Sequence, residues 1–261
     1  MFDSNQLFIR VPYQILVENL KTVLKHRFNV EVYFDAFLLD TTPLSDLRQL
    51  KKIMEGSGLQ LTLHGPFLDL NPGSLDFRIR EITKHRYLQA LRICSFWEVT
   101  QIALHHGYNP IYHGFAYQEW LKGSIEVWEV VTREAEARGV TIGIENAFED
   151  GPNILKDVIS EVSSPHLGCC LDVGHLNVGS RLGLEVWVRE LDQHIVEIHL
   201  HDNDGGSDQH STIGEGEIDF RQLFGLLNEL GINPLFTLEN NSEEDFLRSI
   251  VWLKENGVLT V

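Results

Sequence analysis

The sequence predicts an α/β fold, a single (β/α)8 barrel spanning residues 1–261, on three observations. Its length suits one such barrel, for which roughly 250 residues are usual. Eight short β-rich runs alternate with longer segments of helical period, as βα units around a parallel sheet require. Six of the eight runs end in His, Asp or Glu, at the point where the strands of a closed barrel emerge and where this architecture carries its chemistry.

The strands are read at 7–12 (LFIRVP), 29–34 (NVEVYF), 59–64 (LQLTLH), 100–105 (TQIALH), 140–145 (VTIGIE), 166–172 (HLGCCLD), 194–199 (HIVEIH) and 234–239 (PLFTLE). Behind the first strand Leu16, Leu20, Val23 and Leu24 recur at helical spacing, and Ile79, Ile82, Leu88 and Leu91 do so within 74–98. Both stripes are expected to face the barrel. Gly139 ends a helix just before the fifth strand, and Asn233-Pro234 opens the eighth. No linker or low-complexity tract interrupts the pattern, and charge is not segregated by half, so one domain is expected.

Composition narrows the function. With 43% hydrophobic and 23% charged residues the chain reads as a globular protein. Its formal charge of −17, from 21 Lys+Arg against 38 Asp+Glu, works against a nucleic-acid partner, whose binding draws on cations that neutralise phosphates. The start, MFDSNQLFIRVPY, lacks the basic end and apolar run of a signal peptide, and no segment approaches the roughly 18 apolar residues of a membrane span. A cytoplasmic protein without a membrane partner is expected. Cys94, Cys169 and Cys170 are read as buried, reduced fillers.

The strand-end residues are His64, His105, Glu145, Asp172, His199 and Glu239. His175 in LDVGHLN, and Asp208 with His210 in DQHSTIGEGEIDF, lie in the following loops, where Gly205, Gly206, Gly214 and Gly216 permit tight turns. Carboxylates crowded at one mouth repel one another unless a proton or a cation intervenes. Imidazole and carboxylate together suit divalent zinc, manganese or iron, and of these zinc or manganese is expected. His201 alternates with His199 and so shares its face, which gives it a supporting or substrate-binding role. Glu31, inside the second strand, is read as paired within the barrel. Phe34, Phe67, Tyr108 and Tyr112 either wall a pocket or pack under loops.

The segments HGPFLDLNPGS, LHHG, IENAFED, CLDVGHLNVG, HLHDNDGGSDQHSTIGEGEIDF and LEN together resemble the xylose isomerase-like TIM-barrel superfamily. That group includes sugar phosphate isomerases and epimerases and the endonuclease IV class of AP endonucleases. Resemblance to the isomerases implies one metal held by Glu145, Asp172, His199 and Glu239, with His175 holding substrate. Resemblance to endonuclease IV implies three zinc ions. His64, His105 and Glu145 would hold the first, Glu145, Asp172, His199 and Glu239 the second, and His175, Asp208 and His210 the third. The chain departs from both. DAFLLDTTPLSD is acidic and apolar where the nucleases carry a basic DNA-inserting loop. HLHD puts His201 where many isomerase relatives have Lys, and lacks the arginine that follows in ketose 3-epimerases.

The expectation is therefore a metal-dependent isomerase or epimerase of a small sugar or related polyol acid, in which Glu145 and Glu239 move the proton through an enediolate. His64, His175, His201 and Phe67 would contact substrate. The alternatives are an AP endonuclease hydrolysing phosphodiesters and a barrel that binds metal or sugar without catalysis.

Overall fold

Every expected β-run forms a strand. The computed structural model describes residues 2–147 and 149–260. Its strands β1 (Leu7–Pro12), β2 (Asn29–Tyr33), β3 (Leu61–His64), β4 (Gln101–His105), β5 (Thr141–Glu145), β6 (Leu167–Asp172), β7 (Ile195–Leu200) and β8 (Leu235–Leu238) close in that order into a parallel barrel. β1 seals the ring against β8, with Ile9 opposite Leu238. The strands begin and end within two residues of their expected limits, and Glu239 lies one residue past β8. A short parallel pair, Phe2–Asp3 with Leu259–Thr260, ties the two ends of the described chain together.

The period of two divides each strand between two environments. Val30 and Val32, Ile102 and Leu104, Ile142 and Ile144 turn outward and are buried beneath helices. The alternate residues face the axis. Contacts between strands that are not neighbours establish this, because Gln101 of β4 donates to Glu197 of β7 at 3.2 Å. The interior is therefore polar, and the apolar core is the layer between sheet and helices. Its largest members, Trp120, Trp128 and Trp187, are fully buried. Tyr87 stacks on Trp128 at 5.4 Å between centroids, and its hydroxyl donates to the carbonyl of His105 at 2.6 Å, joining the core to the site.

One expected stripe needs correction. Leu16 and Val23 are buried and Leu91 is too, but Ile79 and Ile82 are 40% and 58% exposed. The helix Phe77–Trp97 has 21 residues, about 31 Å by its rise, whereas strands of four to six residues span at most about 20 Å. Its first turns overhang the sheet, and the buried face starts at Thr83 and continues through Tyr87, Ala90, Leu91 and Cys94. All three cysteines are buried and unbridged. Among the described residues no helix is long and apolar enough to cross a membrane.

Trp128→Ala empties a site that cannot collapse between two packed layers, so a loss of about 3–5 kcal/mol is expected. The check is a urea midpoint that falls at unchanged slope.

Candidate metal centre

Below the mouth the axis is lined by Glu31, Thr62, Cys170, Glu197 and Thr237. Two residues further along the same strands stand His64, Asp172, His199 and Glu239, and His105 and Glu145 occupy the same level on β4 and β5. Register brings opposite characters side by side: His105 pairs with Glu145, and Asp172 with His199.

Glu145 is the centre of the cluster. Its Oε2 is 2.9 Å from His64 Nε2 and 3.0 Å from His105 Nε2. Its Oε1 is 3.4 Å from His175 Nδ1 and 3.5 Å from His199 Nδ1. His199 Nδ1 is also 2.9 Å from Glu239 Oε1 and 3.9 Å from Asp172 Oδ2. On the far side of Asp172, His175 Nε2 lies 3.4 Å from Asp208 Oδ2, which is 3.0 Å from His210 Nε2. His64, His105, Glu145, Asp172, His175, His199, Asp208, His210 and Glu239 thus form one connected group. His201 joins it, with Nε2 3.2 Å from Asp172 Oδ1 and its ring stacked on His210 at 4.0 Å. Phe67 lies flat against His105 at 4.6 Å.

Local chemistry fixes these positions. Asp172 caps the helix Val173–Gly179, its Oδ1 accepting the backbone N–H of His175 at 2.7 Å, so the D-x-x-H spacing is an N-cap that carries a histidine in its first turn. Asn146 clamps the end of β6, donating to the Asp172 carbonyl at 2.8 Å and accepting its N–H at 2.7 Å. The long loop after β7 is gathered on Asp202. One oxygen of this buried carboxylate accepts the N–H groups of Gly214 and Gly216, each at 2.9 Å, and the other accepts those of Asn203 and Ile218. Gly216 is required there, since a Cβ would lie 2.3 Å from both Asp202 and the carbonyl of Asn203.

The charges hold one another in place. Burial opposes ionisation of Glu145, but His105 and His199 keep its carboxyl well below the usual range. Burial is likewise overridden at Glu239 by Arg10 and His199, and at Asp172 by His175 and His201. His210 is pushed up to about 9, against burial, by Asp208 and then Glu239.

A metal fits this centre on two counts. Both ring nitrogens of His199, His201 Nδ1, Asp208 Oδ1 and Glu239 Oε1 are buried without a hydrogen-bond partner, a condition that costs about 1–3 kcal/mol per group. His199 Nδ1 and Glu239 Oε1, though 2.9 Å apart, are out of line for a hydrogen bond, and a shared cation satisfies both. Ligand atoms of His64, Glu145, His199 and Glu239 also lie within 4.8 Å of one another, as do those of Glu145, Asp172 and His175 and those of His201, His210 and Glu239. Such nitrogen and oxygen sets suit zinc or manganese.

The sequence profile described as "Xylose isomerase-like TIM barrel" matches residues 29–256. The chain belongs to that family. This xylose isomerase-like barrel is 26% identical over 249 residues to an uncharacterized protein of Methanocaldococcus jannaschii, covering 92% of this chain and 84% of that one. It is 26% identical over 183 residues to a Mycoplasma mobile protein named "Probable endonuclease 4", covering 62% of each. Among solved structures, one described as a D-tagatose 3-epimerase-like protein superposes with a TM-score of 0.83 at 25% identity, covering 98% of this chain and 95% of its own.

The structure settles several residues whose sequence reading is open or general. Glu31 is paired inside the barrel as expected, its Oε1 3.5 Å from His199 Nε2, although neither oxygen has a partner in hydrogen-bond geometry. Phe34 is buried and packs in the core against Tyr13 and Trp97. Tyr108 packs on Trp120, whereas Tyr112 is exposed. Sequence reasoning passed over Arg10, whose Nη1 lies 3.2 Å from Glu239 Oε2 and whose guanidinium covers Tyr33, and it passed over Asn146, Glu197 and Asp202. For Glu197 a signal existed, since it sits two residues before a strand-end ligand and shares its face. Arg10 also stood out as the one charge in an otherwise apolar run.

Asp202→Ala is expected to free the loop without opening the barrel. Amide exchange should speed up across residues 203–218 while the strands keep their protection. Unchanged protection in the loop would rule out the carboxylate as its anchor.

Proposed function

We propose that this protein is a divalent-metal-dependent isomerase or epimerase of a small sugar or sugar acid, acting in the cytoplasm with zinc or manganese. The observation that carries the reading is the pair Glu145 and Glu239. They approach His199 Nδ1 from separate strands, and both stay ionised in a buried setting.

Glu145, Asp172, His199 and Glu239 would hold the metal, which when bound supplies polarisation of a substrate carbonyl and offsets negative charge developing there. The protein supplies the proton transfers. One of the two glutamates takes a proton from the carbon beside the carbonyl, giving an enediolate, and either returns it at the adjacent carbon or relays it through a substrate hydroxyl to the other carboxylate, which delivers it at the opposite face. Arg10 keeps Glu239 ionised for that task. His64, His175 and His201 donate to substrate hydroxyls, and Phe67 packs against the carbon skeleton beside His105. The likeness to a D-tagatose 3-epimerase-like protein supports a sugar as substrate.

A second reading, hydrolysis of a phosphodiester in the manner of endonuclease IV, is favoured by the two outer groups, His64 and His105 on Glu145, and Asp208 with His175 and His210. Against it stands the segment after β2, where a short helix, Ala36–Thr41, capped by Asp35, presents an exposed Phe37 and carries Asp40 paired with Arg86, leaving no free cation among the described residues there for a phosphate backbone.

Elemental analysis after zinc or manganese loading is expected to give about one tightly bound ion per chain, against about three for the nuclease reading. At a free metal concentration about 100-fold above Kd the ion should stabilise the fold by about 2.7 kcal/mol, and a chelator should reverse the gain in Tm. Glu145→Gln and Glu239→Gln should each abolish turnover in a panel of ketoses, aldoses and sugar acids. Near-normal rates in either variant would reject the two-carboxylate scheme, and chelator-sensitive cleavage of an abasic-site duplex would put the second reading first.

A further inference from the structure

The proton transfers leave one pair of buried groups without a task. Glu31 lies on the barrel axis with no solvent exposure and no hydrogen-bond partner at either oxygen, and its Oε1 is 3.5 Å from His199 Nε2. That nitrogen also lacks a hydrogen-bond partner. The other carboxylate near it, Glu197, is 3.9 Å away and already engaged, since Thr237 donates to its Oε1 at 2.7 Å and Gln101 to its Oε2 at 3.2 Å. Glu31 Oε1 and His199 Nε2 therefore face each other at the outer limit of hydrogen-bond length, and a small rotation of either joins them.

We propose that Glu31 is a positioning residue, which accepts the Nε2–H of His199 and so fixes the tautomer and ring orientation that present Nδ1 to the metal held with Glu145, Asp172 and Glu239. This rests on the metal-binding part of the proposed function and is independent of the reaction. An imidazole can offer a cation only the nitrogen that carries no proton, so an acceptor behind the ring decides which nitrogen that is. A carboxylate in that place also makes the ring a stronger ligand. The opposite face of His199 offers a competing arrangement, in which Cys170, Glu197 and His199 place ligand atoms within 4.8 Å of one another.

The test compares zinc affinity, by competition with a chromogenic chelator, in the wild type, Glu31→Leu and Glu31→Gln, together with the Tm of each metal-free protein. Glu31→Leu is expected to weaken zinc binding about tenfold to a hundredfold. Glu31→Gln, whose amide oxygen accepts the same proton, should recover most of that loss, with metal-free Tm values no lower than that of the wild type. In the zinc-loaded wild type the His199 Nε2–H proton should resonate downfield, as for a hydrogen bond to a carboxylate, and should shift in Glu31→Gln. That spectrum decides the matter even if Glu31→Leu does not fold, because a rapidly exchanging Nε2–H at the ordinary imidazole position overturns the proposal. So does zinc affinity in Glu31→Leu within twofold of wild type, or an equal loss in both variants with matching falls in Tm. A thiolate-to-cobalt absorption band in the cobalt(II)-loaded protein, lost in Cys170→Ser, would put the ion on the other face of the ring and overturn it as well. If the wild type takes up neither zinc nor manganese, the metal-binding reading falls and this proposal falls with it.

Discussion

The structure is governed by the mutual repulsion of carboxylates along a closed, buried axis. Glu31, Glu145, Asp172, Glu197 and Glu239 all lie within the barrel or at its rim with almost no exposure. Two like charges about 4 Å apart repel by about 4 kcal/mol at an effective dielectric constant near 20, so these groups cannot stand ionised side by side. The barrel resolves this by position. His199 stands between Glu145 and Glu239, His105 pairs with Glu145, Arg10 covers Glu239, and burial and Glu31 push Glu197 up to about 8. A cation fits into this lattice of alternating charge as one more member.

The parallel register makes that alternation possible. Because His105 lies beside Glu145 and Asp172 beside His199, each acid on one strand meets a base on the next without any help from loops. The outer part of the cluster is built differently. His175 depends on a helix cap, and Asp208 and His210 depend on a loop. Strands therefore set the inner part of the cluster, and the outer side chains are added by elements that tolerate change.

The barrel and the convergence at its mouth were legible because both follow from periodicity. Alternation of short β-runs with helical stretches gives the fold, and a metal-capable residue at a strand end has one place to go. What stayed hidden depends on the third dimension. Whether Glu31 is paired turns on cross-barrel neighbours separated from it by over a hundred residues, and Ile79 and Ile82 are exposed because helix and strand differ in length, which no local pattern records. Asn146 and Asp202 act on backbone groups, and hydrogen bonds to the backbone leave little trace in residue spacing. The choice between sugar and phosphodiester chemistry was open in the sequence for the same reason that the site looks continuous in space: both chemistries draw on one shared glutamate.

The loop that ends β7 returns its chain to a single carboxylate, Asp202, before the next helix begins. Its attachment and its payload are thus separate, since Asp208 and His210 sit on the excursion while the knot that holds both ends is elsewhere. In evolutionary terms this is an interchangeable cartridge. Residues 204–210 are open to rewriting, which would change the side chains presented at the entrance while the knot, the backbone pairing of Asp202 with Ser211 and the barrel beneath stayed as they are.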